Sequence, residues 1–437
     1  MMYILYLIIL LVILYIAYYL FRDIISPSFI LTGMYILSIV AAMIGFFSWN
    51  NEKDLFLITL FIGVMGILSF LLGEYIARNF LKKKKNKSKS VYNIKVSVND
   101  YTIILLITLM IVTIALTIYE IKQLCLNYGF DSNNLFDMLY FYRKSNNLLA
   151  GGNLNAVYDL NFITKQLLKF CFAFTVFLEF FFASNILKHE SIKKSILYLF
   201  GILIGFACTL LTTGRSMFFH LIIAQIIIFA ILIYKRDNTF SEFIKKYKIL
   251  IACAPVFCII LLYLLMPLLG RKNPGGLIES TSFALGTHIP ALNKIIVDPN
   301  ADKIYKNKHL TFENFYMTLN KIGIHNNYTK LEDMWYRFGR YSSNTFTSLY
   351  RYYHDYDIFG VVILQFIFGF IITKLYLLAR KNILGLIIYA YFFYTVVDQI
   401  RGDQFYGLIT SSTVAYLTII FCLYYILIYR STAKNEK

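Results

Sequence analysis

Residues 2–20 read MYILYLIILLVILYIAYYL, an unbroken apolar run with no basic residue ahead of it and Arg22 just behind it. As a helix, a run of this length crosses the roughly 30 Å of hydrocarbon in a bilayer. It lacks the positively charged n-region of a cleavable leader, so it reads as a retained span. The same pattern recurs at 28–48, 55–79, 101–123, 162–186, 196–213, 217–234, 249–269, 358–378, 383–400 and 408–429. Backbone amides and carbonyls in hydrocarbon must be satisfied within their own segment, which makes each block a helix. The expectation is an all-α polytopic membrane protein of about eleven spans, with residues 1–437 forming a single transmembrane domain.

Composition excludes a soluble protein. The 437 residues are 59% apolar and 15% charged, with a mean hydropathy of +0.63, against about 45–50% and about 25% in ordinary soluble domains. Forty Phe and thirty-six Tyr overfill a soluble core, whereas lipid-facing and interfacial positions absorb them. A net charge of +18 would suggest nucleic acid in a soluble chain, but here the positive-inside rule accounts for it. The run from Lys82 to Lys89 (KKKKNKSK) marks the cytoplasmic side. Counting alternately from it places Arg22, the 187–195 and 235–248 loops, Arg380, Lys381 and the tail on that side too. The N-terminus then lies outside and the C-terminus inside, and no nucleic-acid partner is expected. The six cysteines sit in or beside apolar blocks without a CxxC pair, so neither a disulfide framework nor a zinc site is expected. HExxH, GKS/T and GxSxG motifs are all missing, so no metal or cofactor is expected either.

Chemistry gathers on the predicted outer face. Residues 270–356 form the largest external loop, with helical stretches near 277–296 and 312–322. A loop of that size is too long for a connector and points to function. Arginines stand at the outer helix ends: Arg215, Arg271, Arg340, Arg351 and Arg401. The positive-inside rule disfavours them there, and a guanidinium offers a planar fork of donors matched to phosphate or carboxylate. Converging, they would hold a lipid-attached diphosphate. Individually, each could snorkel or pair with a nearby acid, such as Asp355 for Arg351 or Asp403 for Arg401. Lys165 and Lys169 share a helix face, Glu179 is an acid deep in a span, and His220 lies about a turn beyond Arg215. Asp355, Asp357, Asp398, Asp403, His354 and His288 are candidates for general-base work on a sugar hydroxyl.

Three features resemble the Wzy-type family of oligosaccharide repeat-unit polymerases, which make O-antigen or capsule. Thr213-Gly214-Arg215-Ser216 resembles that family's short GR(S/T) turn before a span. Asn344-Thr345-Phe346-Thr347, followed by Asp355 and Gly360, resembles its passage from the large loop into the next span. The plan of about eleven spans with one late external loop is similar along essentially the whole chain. Arg271 falls where the family often opens that loop with an Arg. Two departures stand out. Asp357 occupies a position where the family commonly has Gly, and Ser343-Asn344 stands where the related ligases often have His-Asn.

The resemblance implies a GT-C-like glycosyltransferase of the bacterial cytoplasmic (inner) membrane, independent of metal. Donor and acceptor would be undecaprenyl-diphosphate-linked oligosaccharides, with membrane lipids and a polysaccharide chain-length regulator as further partners. Under it, Arg215, Arg271, Arg340, Arg351 and Arg401 would grip the diphosphate, Asn344 and Thr345 would orient sugar hydroxyls, and Asp355 or His354 would be the base. Outer-loop aromatics (Trp335, Tyr336, Tyr341, Tyr350, Tyr352, Tyr353) would stack on sugars or form an interfacial belt. The rival readings are a lipid-linked oligosaccharide flippase, which would need polar residues through several mid-spans, and a membrane O-acetyltransferase of surface glycans. The latter would show an Arg/His pair on the cytoplasmic side, where only His189 in a Lys-rich loop is found.

Overall fold

A computed structural model describes residues 2–49, 54–82, 98–132, 134–150, 160–212, 215–237, 275–298, 300–301, 309–324 and 334–430. It is all-helical apart from one small hairpin. In chain order the helices are α1 (Met2–Phe21), α2 (Pro27–Ser48), α3 (Leu57–Lys82), α4 (Asp100–Asn127), α5 (Leu135–Ala150), α6 (Phe162–Lys188), α7 (Ile192–Leu211) and α8 (Arg215–Asp237). They continue with α9 (Leu277–Gly286), α10 (His288–Val297), α11 (Glu313–Lys321), α12 (Ser348–Ala379), α13 (Ile383–Val397) and α14 (Ser411–Tyr424). The strands β1 (Tyr336–Phe338) and β2 (Tyr341–Ser343) pair antiparallel. Among the described residues ten helices are long and apolar enough to cross a membrane, at ten of the eleven expected positions. The expected span at 249–269, the Lys-rich segment from Lys83 onward and Arg271 lie outside the described residues.

The chain divides into two compact units. Unit 1 comprises residues up to Asn86, Asn273–Leu377 and Thr395–Thr410. Its α2 starts cleanly because Ser26 accepts the Phe29 amide and Pro27 occupies the first turn, where no amide partner is needed. Helices α3 and α12 touch backbone to backbone: a Cβ on Gly73 would strike the Phe366 carbonyl, and one on Gly369 the Phe70 carbonyl. Only glycine permits that approach, the small-residue device of membrane helix pairs.

The two ends of unit 1 differ in chemistry. At one end, Glu74 accepts from the amide and hydroxyl of Ser28 (2.8 and 2.6 Å) and from Arg78 Nε (2.8 Å). Arg78 also reaches Asp23 at 3.2 Å, and Tyr376 donates to the same carboxylate at 2.8 Å. Two buried acids thus share one guanidinium, which lies over the Phe21 ring. At the other end the large-loop helices close over α2 and α3. Trp49 meets Phe283 and Phe338 edge-on and donates to Ser282. Asn293 accepts from the Phe56 amide and the Thr59 hydroxyl, both at 2.8 Å. The 277–296 stretch forms two helices broken at Thr287, because Pro290 has no amide to continue the ladder.

Unit 2 comprises Lys87–Lys272, Leu378–Tyr394 and residues from Ser411. It is built round α6, whose residues Cys171–Phe181 are buried on every side by α4, α7, α8 and α14. Glu179 is fully buried there, and neither of its carboxyl oxygens has a hydrogen-bond partner. His220 stacks on Tyr394 at 3.6 Å, and Lys169 lies over the Tyr416 ring.

Candidate functional site

The site is built at the α9–α10 end of unit 1, where three segments meet: β2 with the turn after it, the outer part of α12, and the loop 398–408 after α13. The helix α12 is bent where it leaves the loop region. Tyr356 and Asp357 break its dihedrals, and Asp357 adopts φ +52° with ψ −154°, a combination almost reserved for glycine. Gly360 permits the bend, since a Cβ there would lie 2.5 Å from both the Tyr352 carbonyl and the Tyr356 Cβ. Asp357 thus meets under strain a backbone need that glycine would meet freely. The bend separates the outer turns, which carry Arg351, Tyr352, His354 and Asp355, from the membrane helix.

Asp355 is fully engaged. Its two oxygens accept the Leu310 and Thr311 amides at 3.1 and 2.8 Å, and His354 Nδ1 lies 3.0 Å from Oδ1. The carboxylate therefore clamps residues 310–311 onto α12, and Thr311 Oγ1 reinforces the clamp by donating to the Arg351 carbonyl. Arg351 donates to the Leu310 carbonyl at 2.8 Å and pairs with Glu313 at 3.3 Å, while 35% of its side chain stays exposed.

Asp403 stands differently. Its Oδ1 accepts from Tyr352 Oη at 3.0 Å and from the Phe405 and Tyr406 amides. Its Oδ2 is buried and accepts from nothing, although only 8% of the residue is exposed. Burial pushes this carboxyl up to about 6, against the charge of Arg351 and the bonds from Tyr406 and Tyr352.

His288 opens α10. Its Nε2 lies 3.0 Å from the Ala284 carbonyl, which can only accept, so Nε2 carries the proton. Nδ1 then accepts from the Thr345 hydroxyl at 3.0 Å, and Thr345 Oγ1 accepts from Ser343 at 2.9 Å. Burial, then the charge of Arg401, pushes His288 down to about 3, so it remains neutral. Arg401 is itself 42% exposed on its side chain and reaches Asp398 at 3.5 Å.

The sequence-predicted residues therefore fall into three groups. Arg351, Arg401, Asn344, Thr345, His354 and Asp355 share this end of unit 1. Arg340 sits at the tip of the β1–β2 hairpin, paired through both nitrogens with Glu279 and stacked near Tyr341. It is the most exposed of the three described candidate arginines, at 55% of its side chain against 35% for Arg351 and 42% for Arg401. Arg215 begins α8 in unit 2, where its side chain lies outside the described set, as does the whole of Arg271. The acid partners of Arg351 and Arg401 are Glu313 and Asp398, in place of the expected Asp355 and Asp403. Of the aromatics, Tyr341, Tyr350 and Tyr352 are buried, Tyr336 donates to Asp298, and Trp335 is open to solvent. Sequence reading missed the free oxygen of Asp403 and its bond to Tyr352, because the two residues are 51 positions apart and no local pattern links them. No cluster of His, Cys, Asp and Glu among the described residues could hold a metal ion.

No family model, curated protein or solved structure matches the chain. It is a multi-pass membrane protein.

Proposed function

We propose that this protein is a glycosyltransferase of the bacterial cytoplasmic membrane that polymerises undecaprenyl-diphosphate-linked repeat units into O-antigen or capsular polysaccharide. One observation carries the proposal: at a single end of unit 1, two partly exposed guanidiniums stand near polar groups from three segments, Arg351 near Asp403 and Arg401 near His288, which holds the Thr345 hydroxyl. A diphosphate leaving group needs cations where charge accumulates, and a sugar needs hydroxyl-sized acceptors and donors beside it. Neutral His288 fixes the Thr345 hydroxyl, which orients rather than deprotonates. Arg340 stands ready to exchange Glu279 for a phosphate oxygen as substrate arrives.

Deleting the gene and resolving surface glycan on a gel tests this. A ladder collapsing to one repeat supports polymerisation, whereas an unchanged ladder removes it. The unpartnered carboxyl of Glu179 inside α6 favours a second reading, transport of lipid-linked oligosaccharide, for which deletion would remove surface glycan entirely.

A further inference from the structure

We propose that Asp403 is the catalytic base of this site, its free Oδ2 taking the proton of the acceptor sugar hydroxyl. The proposal rests on the polymerase reading and names the residue that does its proton chemistry.

Geometry carries it. A carboxylate oxygen left without a donor in a buried setting is costly. Within one residue, Oδ1 receives three donors while Oδ2 receives none. The three bonds fix the carboxylate plane, so the vacant lone pairs have a defined direction. Gln399, on the same loop, is also buried with its side-chain carbonyl oxygen unpaired. Unpaired acceptors call for a ligand rich in donors, and a saccharide is such a ligand. Of the other acids, Asp355 holds two amides, Glu313 and Asp398 face arginines and Glu279 faces Arg340, while Asp357 is exposed at the bend of α12.

The charged and titratable groups that face Asp403 are Arg351 and Tyr352 from α12 and Tyr406 from its own loop. Tyr352 and the amides favour the carboxylate, whereas burial disfavours it, leaving a base matched to near-neutral pH. Arg351 lies on the same side as a cation for the departing diphosphate. Oδ2 is covered in this conformation, and Arg401 and Gly402 beside it are open or half-open, so the loop must shift for the acceptor to reach it.

The step balances. The acceptor hydroxyl oxygen forms a bond to the anomeric carbon of the donor glycan. The bond from that carbon to the diphosphate oxygen breaks, its electron pair leaving with the polyprenyl diphosphate. The hydroxyl proton passes to Asp403 Oδ2 and then to water.

The test uses the full chain in lipid nanodiscs with polyprenyl-diphosphate-linked repeat units, following polymer length and rate against pH. Asp403→Asn keeps a carbonyl for Tyr352 and the two amides but cannot take a proton. It is expected to lower kcat by about 10²–10⁴-fold, leave KM within a few-fold, and abolish the acidic limb near pH 6 expected of the wild type. Asp403→Glu is expected to recover part of the rate. Tyr352→Phe, which removes one bond favouring the carboxylate, is expected to move the limb to higher pH. A wild-type rate and limb in Asp403→Asn overturns the proposal. So does loss of rate in Asp403→Asn with the limb intact in the residual activity. If the wild type itself forms no polymer, it is the polymerase reading that fails.

Discussion

Tyr352, fully buried on the outer turns of α12, donates its phenol hydrogen bond to Asp403 at 3.0 Å. That bond ties the helix following the large loop to the turn following α13. It also sets the orientation of a buried carboxylate with an unused oxygen. The residues that hold this geometry have consequences that can be measured.

Asp357 holds a glycine-type conformation at the bend of α12. Relieving it should stabilise the protein. Asp357→Gly is expected to raise stability by about 1 kcal/mol, the strain of order 1–3 kcal/mol less the entropy that glycine gains in the unfolded chain. Asp357→Ala retains the strain and should give no such gain. Thermal midpoints in detergent would show the ordering, and equal midpoints for the two variants would contradict it.

Gly360 has no room for a methyl group between Tyr352 and Tyr356. Gly360→Ala should open the bend and displace the outer turns. The loss is expected to be about 2 kcal/mol or more, with polymer-forming activity falling together with the melting temperature. Preserved stability and activity would mean that the bend is dispensable.

Arg78 serves two buried acids at the far end of unit 1. Arg78→Leu strands both, at about 3–5 kcal/mol. The triple change Asp23→Asn, Glu74→Gln, Arg78→Leu should recover much of that loss. The relative membrane levels of the single and triple variants would check this, with equal levels counting against it.

Acid should act on the fold through two opposed groups. His288 is pushed down to about 3, against about 6.5 for a free imidazole, so below about 6.5 the unfolded chain takes a proton that the fold refuses. Stability then falls by about 1.4 kcal/mol per pH unit as pH drops toward 3. Asp403 is pushed up to about 6, so from about pH 6 down to about 4 the fold takes a proton that the unfolded chain does not, which offsets His288. Asp403→Asn removes the offset, and its melting temperature should fall progressively from pH 6 to pH 4 while the wild type changes little. Adding His288→Gln should flatten the profile again. A flat profile in Asp403→Asn alone would show that the opposition does not operate.

Much of the fold was legible because the bilayer imposes it. Apolar runs such as Met2–Leu20 and Phe162–Lys188 must be helices, and turn residues such as Ser26-Pro27 mark where one begins. Helical stretches within the large loop, near 277–296 and 312–322, were legible too, but the break of the first at Thr287 was not. The site was legible only in part. Arginine at the ends of apolar spans is a signal that sequence displays by itself, and it pointed to Arg351 and Arg401. Partner choice was misread: Glu313 meets Arg351 from 38 positions away through folding of the loop, whereas Asp398 stands only three residues before Arg401. Asp355 resembled a free base in sequence because nothing local reveals that amides 44 and 45 positions away occupy both its oxygens. The Asp23–Arg78–Glu74 cluster passed unnoticed for the same reason: one member stands two spans distant.

The guanidiniums of Arg351 and Arg401 stand beside Asp403 and His288 in the proposed machinery, and lysine cannot reproduce their bidentate fork. Purified wild-type protein in nanodiscs, given polyprenyl-diphosphate-linked repeat units alone, should produce a ladder of polymer. Arg351→Lys and Arg401→Lys should each leave single repeats at unchanged protein level and melting temperature. A ladder of wild-type length from both variants, or none from the wild type, would contradict a site built to grip a diphosphate.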